Sequence, residues 1–118
     1  MTTPTSNDPL LSSFRLGRLD LRNRIVSTSH ASMNDSAGMP ADRYQAYHEE
    51  KARGGLAMTM IGGSAMVSRD SSWGGGQLDL STDRIIPYLQ DLSARIHGHG
   101  AAVMTQISHL GRRANAFH

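Results

Sequence analysis

AAVMTQISHLGRR, residues 101–113, runs an apolar stretch straight into an amide, an imidazole and two guanidinium groups, and this junction decides the fold. Residues 101–107 have the length and character of a buried strand, and Gln106, His109 and Arg112 fall where it turns into a loop. Polar groups gathered at strand ends are where α/β proteins place their chemistry. Working outward, the same unit recurs. Residues 56–61 (LAMTMI) form a nearly continuous apolar run, as expected of a strand covered on both faces, and Gly62-Gly63-Ser64 breaks it. Residues 24–29 (RIVSTS) are a β-branched run that predicts the first core strand, followed by a polar loop over 30–40.

Between the strands the period changes to that of helices. Asp42 is placed to cap a helix running to Arg53, where Gly54 and Gly55 supply the stop. After a long Gly- and Ser-rich loop, Ser81 or Asp83 starts a second helix with Ile85, Leu89, Leu92 and Ile96 on one face. Pro87 falls in its first turn or so, and Gly98 and Gly100 end it. Strand, helix, strand, helix, strand implies right-handed parallel crossovers and an α/β sheet or barrel. Upstream, Phe14, Leu16, Leu19 and Leu21 bracket Gly17 and Arg18, a hairpin pattern suited to plugging the bottom of a barrel. Residues 1–9 are polar and proline-containing and read as a disordered or draped arm.

Composition limits the function classes. The 118 residues carry 12 Lys and Arg against 10 Asp and Glu, with no run of like charge, so a nucleic-acid partner is not expected. No apolar stretch approaches the roughly 20 residues of a membrane span, and the N-terminus has neither the basic region nor the apolar core of a signal peptide, so a cytoplasmic protein is expected. The absence of cysteine removes disulfides and thiolate sites from this stretch. A closed (β/α)8 barrel needs about eight such units and roughly 250 residues. The chain therefore reads as the opening third of something larger, of such a barrel or of an open α/β sheet, with about three parallel strands and two helices after a hairpin. Taken alone it is expected to be a noncatalytic piece that packs against whatever supplies the remainder.

Several features have competing readings. Gly62-Gly63 serves either a turn or the close approach of backbone to a flat ligand. His97-Gly98-His99 has the look of a metal pair, but at a helix end it reads as a cap favourable to the helix dipole, and no metal site is expected. His48, Glu49, Glu50 and Lys51 are consecutive on a helix, cannot converge on one face, and read as a solvated surface without chemistry. Met58, Met60 and Met104 alternate along strands and read as core fillers. What remains lies at strand ends: Thr28, Ser29 and His30 after the first, Gly63 and Ser64 after the second, Gln106 and His109 after the third. All face one rim. An amide and exposed backbone there would suit a flat cofactor with a polar edge.

Three blocks in order, LGRLDLRNRIV (16–26), YHEEKARGGLAMTMIGGSA (47–65) and GHGAAVMTQISHLGRR (98–113), resemble the N-terminal part of the old yellow enzyme family of flavin oxidoreductases, over nearly the whole chain. The likeness is greatest to its long members, the trimethylamine dehydrogenase, dienoyl-CoA reductase and N-methylproline demethylase group. Residues 23–40 followed by 42–55 look most like the demethylases. The resemblance implies a TIM barrel with FMN at the C-terminal rim. It further implies that Thr28, Ser29 and His30 lie against the flavin, that Gly63 touches its ring system, and that Gln106 hydrogen-bonds the pyrimidine end. His109 and Arg112 would belong to the same signature loop. Ala31 stands where trimethylamine dehydrogenase has the cysteine that bonds its flavin, which implies noncovalent FMN. Ser29 stands where ene-reductases of the family commonly carry proline, which speaks against that activity.

The implied reaction is oxidative demethylation or dehydrogenation of an N-methylated amine or amino acid by hydride transfer to FMN. The alternative is a dienoyl-CoA or other enoate reductase using NAD(P)H. By the same resemblance the catalytic residues, the flavin phosphate site, and an iron–sulfur cluster with FAD or NAD(P)H are expected beyond His118. The partners implied are a small-molecule substrate and either a second copy of the chain or an electron-transfer protein.

Overall fold

The computed structural model describes residues 7–114, so residues 1–6 of the expected arm lie outside the described part. The Asp8 carboxylate accepts from the Leu10 amide and caps a 3-10 turn at Pro9–Leu11. β1 (Phe14–Leu16) and β2 (Leu19–Leu21) follow as an antiparallel hairpin, with Phe14 opposite Leu21 and Leu16 opposite Leu19. Of the two turn residues only Gly17 has positive φ, 60°, the pattern of a type II′ turn that matches strand twist. Leu21 is buried against Ala57 and Met58 at the start of the central strand. The hairpin thus sits at the N-terminal end of the sheet, where a plug would.

The sheet is three parallel strands in the order β3 (Val26–Ser27), β4 (Met58–Ile61), β7 (Ala102–Thr105). Val26 pairs with Met58, and Met58 with Ala102. All three are shorter than the sequence predicts. The ladder survives only where a neighbour exists: Ala57 still donates to the Ile25 carbonyl at 2.9 Å, whereas residues 28–30 leave it. Two further short strands, β5 (Ala65–Met66) and β6 (Leu78–Asp79), pair in parallel within what the sequence reads as a plain loop. Met66 also bridges to Ser108 beyond β7, so this loop folds back on the rim.

α1 (Asp42–Arg53) and α2 (Ile86–His97) cover one face of the sheet. Ile61 and Val103 meet them in the main core, together with Ala52, Ile85, Leu92 and Ile96. Full burial of each large aliphatic is worth about 1.5–3 kcal/mol. A 3-10 turn at Asp83–Ile85 leads into α2 with Pro87 in its first turn, while Gly98 and then Gly100, at φ 78°, end it. Asp42 does not cap α1. Ala41 holds the cap position without a side-chain bond, and Asp42, one residue later, pairs with Arg95 of α2 at 2.9 Å. A carboxylate in the first turn still favours the helix dipole.

Strand alternation puts Met58, Met60 and Met104 on the opposite face. Met58 is buried under the hairpin, and Met104 is 40% exposed on this face, which the described residues leave uncovered. Helices cover only the other side.

Candidate functional site

At the C-terminal ends of β3, β4 and β7 three loops meet. Gln106 follows β7, its amide nitrogen donating to the Ile61 carbonyl at 3.0 Å, which fixes where its side chain leaves the sheet. Ser29, past β3, donates its hydroxyl to Gln106 Oε1 at 3.1 Å across the mouth of the central strand. The Gln106 NH2 group then has no protein partner among the described residues, and the residue is exposed. Below this bridge lie Gly62 and Gly63, with φ of 104° and 73°. A Cβ on Gly62 would sit 2.8 Å from the Gln106 carbonyl oxygen, and one on Gly63 would overlap the His30 backbone. The two glycines therefore do more than turn the chain. They let the rim segments touch.

Each sequence-predicted residue can be placed. Ser29 and Gln106 are in contact, and Gly63 abuts His30. Thr28 is exposed, its carbonyl 3.4 Å from His30 Nδ1. His30 turns its ring away from Gln106, with Nε2 2.7 Å from the Tyr47 hydroxyl on α1. His109 accepts from the Gly111 amide at 3.0 Å, and Arg112 is exposed in the 3-10 turn Gly111–Arg113. No hydrogen bond joins His109 or Arg112 to Ser29 or Gln106 among the described residues. Ser64 is buried and accepts from Gln77 Nε2 at 2.6 Å, anchoring the loop that carries β6.

Sequence reading missed the aromatic support beneath the rim. Tyr44 accepts from the Gly62 amide at 3.0 Å, and burial pushes its phenol above the ordinary range, so it remains protonated. Tyr44 and Tyr47, three residues apart on α1, hold the loops after β4 and β3. His48, expected on a solvated surface, is instead 1% exposed. Its Nδ1 lies 2.8 Å from Thr59 Oγ1 on β4. Burial, then the nearby Lys51 and His30, lower its pKa to about 4 and keep it neutral. Tyr44, His48 and Ala52 recur at every fourth residue, a stripe that marks the buried face. The other three charged neighbours do make contacts: Glu49 with Arg95 at 3.0 Å, Glu50 with Arg53 at 2.6 Å, Lys51 with the Ser27 hydroxyl at 2.8 Å.

The rim thus offers a Gln106 NH2 group without a partner among the described residues, the exposed residues Thr28 and His30 and, on the sheet face away from the helices, Met60 and Met104. That donor set fits a flat heterocycle with a polar edge and an apolar body. Among the described residues no cluster of His, Asp or Glu is arranged to hold a metal ion, and no helix is long and apolar enough to cross a membrane.

Comparison with known proteins agrees with this architecture. Residues 9–117 match the NADH:flavin oxidoreductase / NADH oxidase family. A multifunctional alkene reductase/demethylase of Caballeronia cordobensis is 55% identical over 98% of the chain and 17% of that protein. A probable N-methylproline demethylase of Rhizobium meliloti (strain 1021) is 48% identical over 91% of the chain and 16% of its own length. The chain thus spans about a sixth of the curated relatives it matches. The old yellow enzyme from a Pichia species superposes with a TM-score of 0.82 at 18% identity, over 95% of the chain and 29% of that structure, which shows the fold.

Proposed function

Since the chain belongs to the NADH:flavin oxidoreductase / NADH oxidase family, we propose that its strand-end rim holds FMN noncovalently in a cytoplasmic enzyme that oxidises an N-methylated amine or amino acid. The observation that carries this reading is the Ser29–Gln106 contact. It sets a glutamine amide at the ends of two parallel strands and leaves its NH2 free to meet a heterocycle edge. Bound FMN supplies a two-electron hydride acceptor. The protein's own part is orientation and charge stabilisation. Gln106 would donate to the pyrimidine end and stabilise negative charge there, with the direction of its amide preset by the backbone. The backbone at Thr28–His30 would lie against the ring system, and Gly63, whose missing side chain makes room for the His30 backbone, would touch the ring beside it. Ala31 provides no thiol, so attachment is noncovalent. His109 and Arg112 border the substrate side of the same loop.

Loss of hydride from an N-methyl group leaves an iminium, which water converts to formaldehyde and the demethylated amine. Groups that orient the substrate, a phosphate site, and an iron–sulfur cluster, second flavin or NAD(P)H site come from parts of the full-length protein other than residues 7–114. A second copy of the chain or an electron-transfer protein is the partner proposed. A second reading, an enoate reductase driven by NAD(P)H, is favoured by the alkene-reductase half of the name borne by the Caballeronia relative. The test is a substrate panel on yellow full-length protein under anaerobic conditions. Bleaching by an N-methylated amino acid supports the first reading. Bleaching by NAD(P)H with recovery on adding an enoate, and no response to amines, replaces it with the second.

A further inference from the structure

The group that holds the rim from outside is Tyr47. Its phenol stands 2.7 Å from His30 Nε2, a short contact for two ring-borne groups, and the rings meet edge to face with centroids 5.7 Å apart. The Lys51 ammonium lies 4.6 Å from the centroid of the Tyr47 ring and is fixed in turn by the Ser27 hydroxyl. Tyr47 and Lys51 are four apart on one face of α1, and they reach His30 and Ser27 on β3 in reverse order, as a helix antiparallel to its strand must. This gives α1 two polar ties to one strand and its loop. Lys51 holds the strand. Tyr47 holds the loop just where it passes Gly63, and Ser29, one residue before His30, is the residue that meets Gln106.

We infer that Tyr47 is a positioning residue for the flavin-facing rim, acting through His30 to fix the backbone of residues 28–30 and so the direction of the Ser29 hydroxyl. The inference rests on the flavin reading of the rim. Tyr47 itself belongs to α1, and its hydroxyl bonds to His30, so its effect on the ligand passes through the imidazole. With Nδ1 carrying the proton toward the Thr28 carbonyl, Nε2 accepts from the phenol, and of the ring's two hydrogen bonds this is the one that ties it to α1. Removing that bond frees the imidazole while leaving the aromatic packing of Tyr47 against His48 in place.

The test is a double-mutant cycle on full-length holoprotein with Tyr47→Phe and His30→Ala, read by the FMN dissociation constant, the visible flavin spectrum and the melting temperature. Tyr47→Phe alone is expected to weaken FMN about five-fold, the effect of one lost hydrogen bond, with a shifted flavin band and little change in melting. In the His30→Ala background the same substitution is expected to change FMN affinity less than two-fold. Equal effects of Tyr47→Phe in both backgrounds, or a lower melting temperature with unchanged FMN affinity and spectrum, overturn the inference and leave Tyr47 a packing residue. Failure of the unsubstituted protein to bind FMN would overturn the proposed function itself, a result visible before any variant is made.

Discussion

The two ends of the same three strands are built on opposite plans. At the N-terminal end the polar groups are used up on backbone. The Arg22 guanidinium donates to the Leu56 carbonyl at 2.8 and 3.1 Å, to Ala52 at 2.7 Å and to His99 at 2.5 Å, tying the hairpin to the last turn of α1 and to the segments that follow both helices. Asn23 donates to the Gly55 carbonyl at 2.6 Å and accepts from the Ile25 amide at 3.0 Å. At the C-terminal rim the chain instead narrows to glycines, and Gln106 keeps donors to spare. Cationic and amide donors on helix C-terminal carbonyls stabilise the fold. Free donors on exposed backbone contribute little to it and are available to a ligand. On the flavin reading, one end of the sheet carries stability and the other recognition, a division that α/β barrels show generally.

Substitutions should separate the ends. The largest effect is expected of Gly63→Ala, since a methyl group there meets the His30 backbone at a φ of 73°. The cost is about 3 kcal/mol or more of stability, with loss of FMN because residues 28–30 must move. Thermal melting and flavin content of purified full-length protein would check it, and a variant that melts normally and stays yellow would mean that the rim is not closely packed.

Acid should act through His48, which lies between the two ends. Its folded pKa of about 4 is below the ordinary 6.5. As pH falls, the unfolded chain therefore takes the proton first. Stability is unaffected above about pH 7 and declines between pH 6.5 and 4, by roughly 3 kcal/mol at the lower limit. His48→Gln keeps a polar group beside Thr59 but does not titrate, so the denaturant midpoint of the variant should fall less steeply over that window. Parallel curves for the two proteins would place the imidazole in water.

Arg22→Met comes next, at about 2 kcal/mol, from carbonyls left to water. Its melting temperature is expected to fall while FMN affinity per folded molecule stays the same. A flavin defect equal to that of a rim variant would erase the contrast between the ends.

How much of this could be read from the residues differs by element for physical reasons. The helix ending at Arg53 and the stripe Ile85, Leu89, Leu92, Ile96 were legible because packing on one face imposes a period that composition records. Strand lengths were not. Of residues 24–29, Ile25, Val26 and Thr28 are β-branched, yet only Val26–Ser27 count as strand, since the ladder with β4 ends where residues 28–30 leave it. The two-residue strands β5 and β6 are too short to leave any alternation. His48 was misplaced because four polar residues in a row suggest a surface, although its spacing from Tyr44 and Ala52 already marked the inner face. That Ser29 meets Gln106 and Gly63 abuts His30 was legible from their positions after each strand. Their support from Tyr44 and Tyr47 was not, because a contact between a helix and a distant loop leaves no local signal.

The most direct measurement is Gln106→Leu in full-length protein, with FMN affinity and melting temperature taken side by side. The substitution roughly keeps volume, removes donor and acceptor together, and leaves the backbone bond to Ile61 intact. FMN affinity is expected to fall about ten-fold, or ~1.4 kcal/mol, and reduction to slow, while the apoprotein melts within about a degree of the parent. A lower apoprotein melting temperature with unchanged FMN affinity and unchanged reduction would show that Gln106 merely ties the loop to Ser29, and would contradict the assignment of this rim to the flavin.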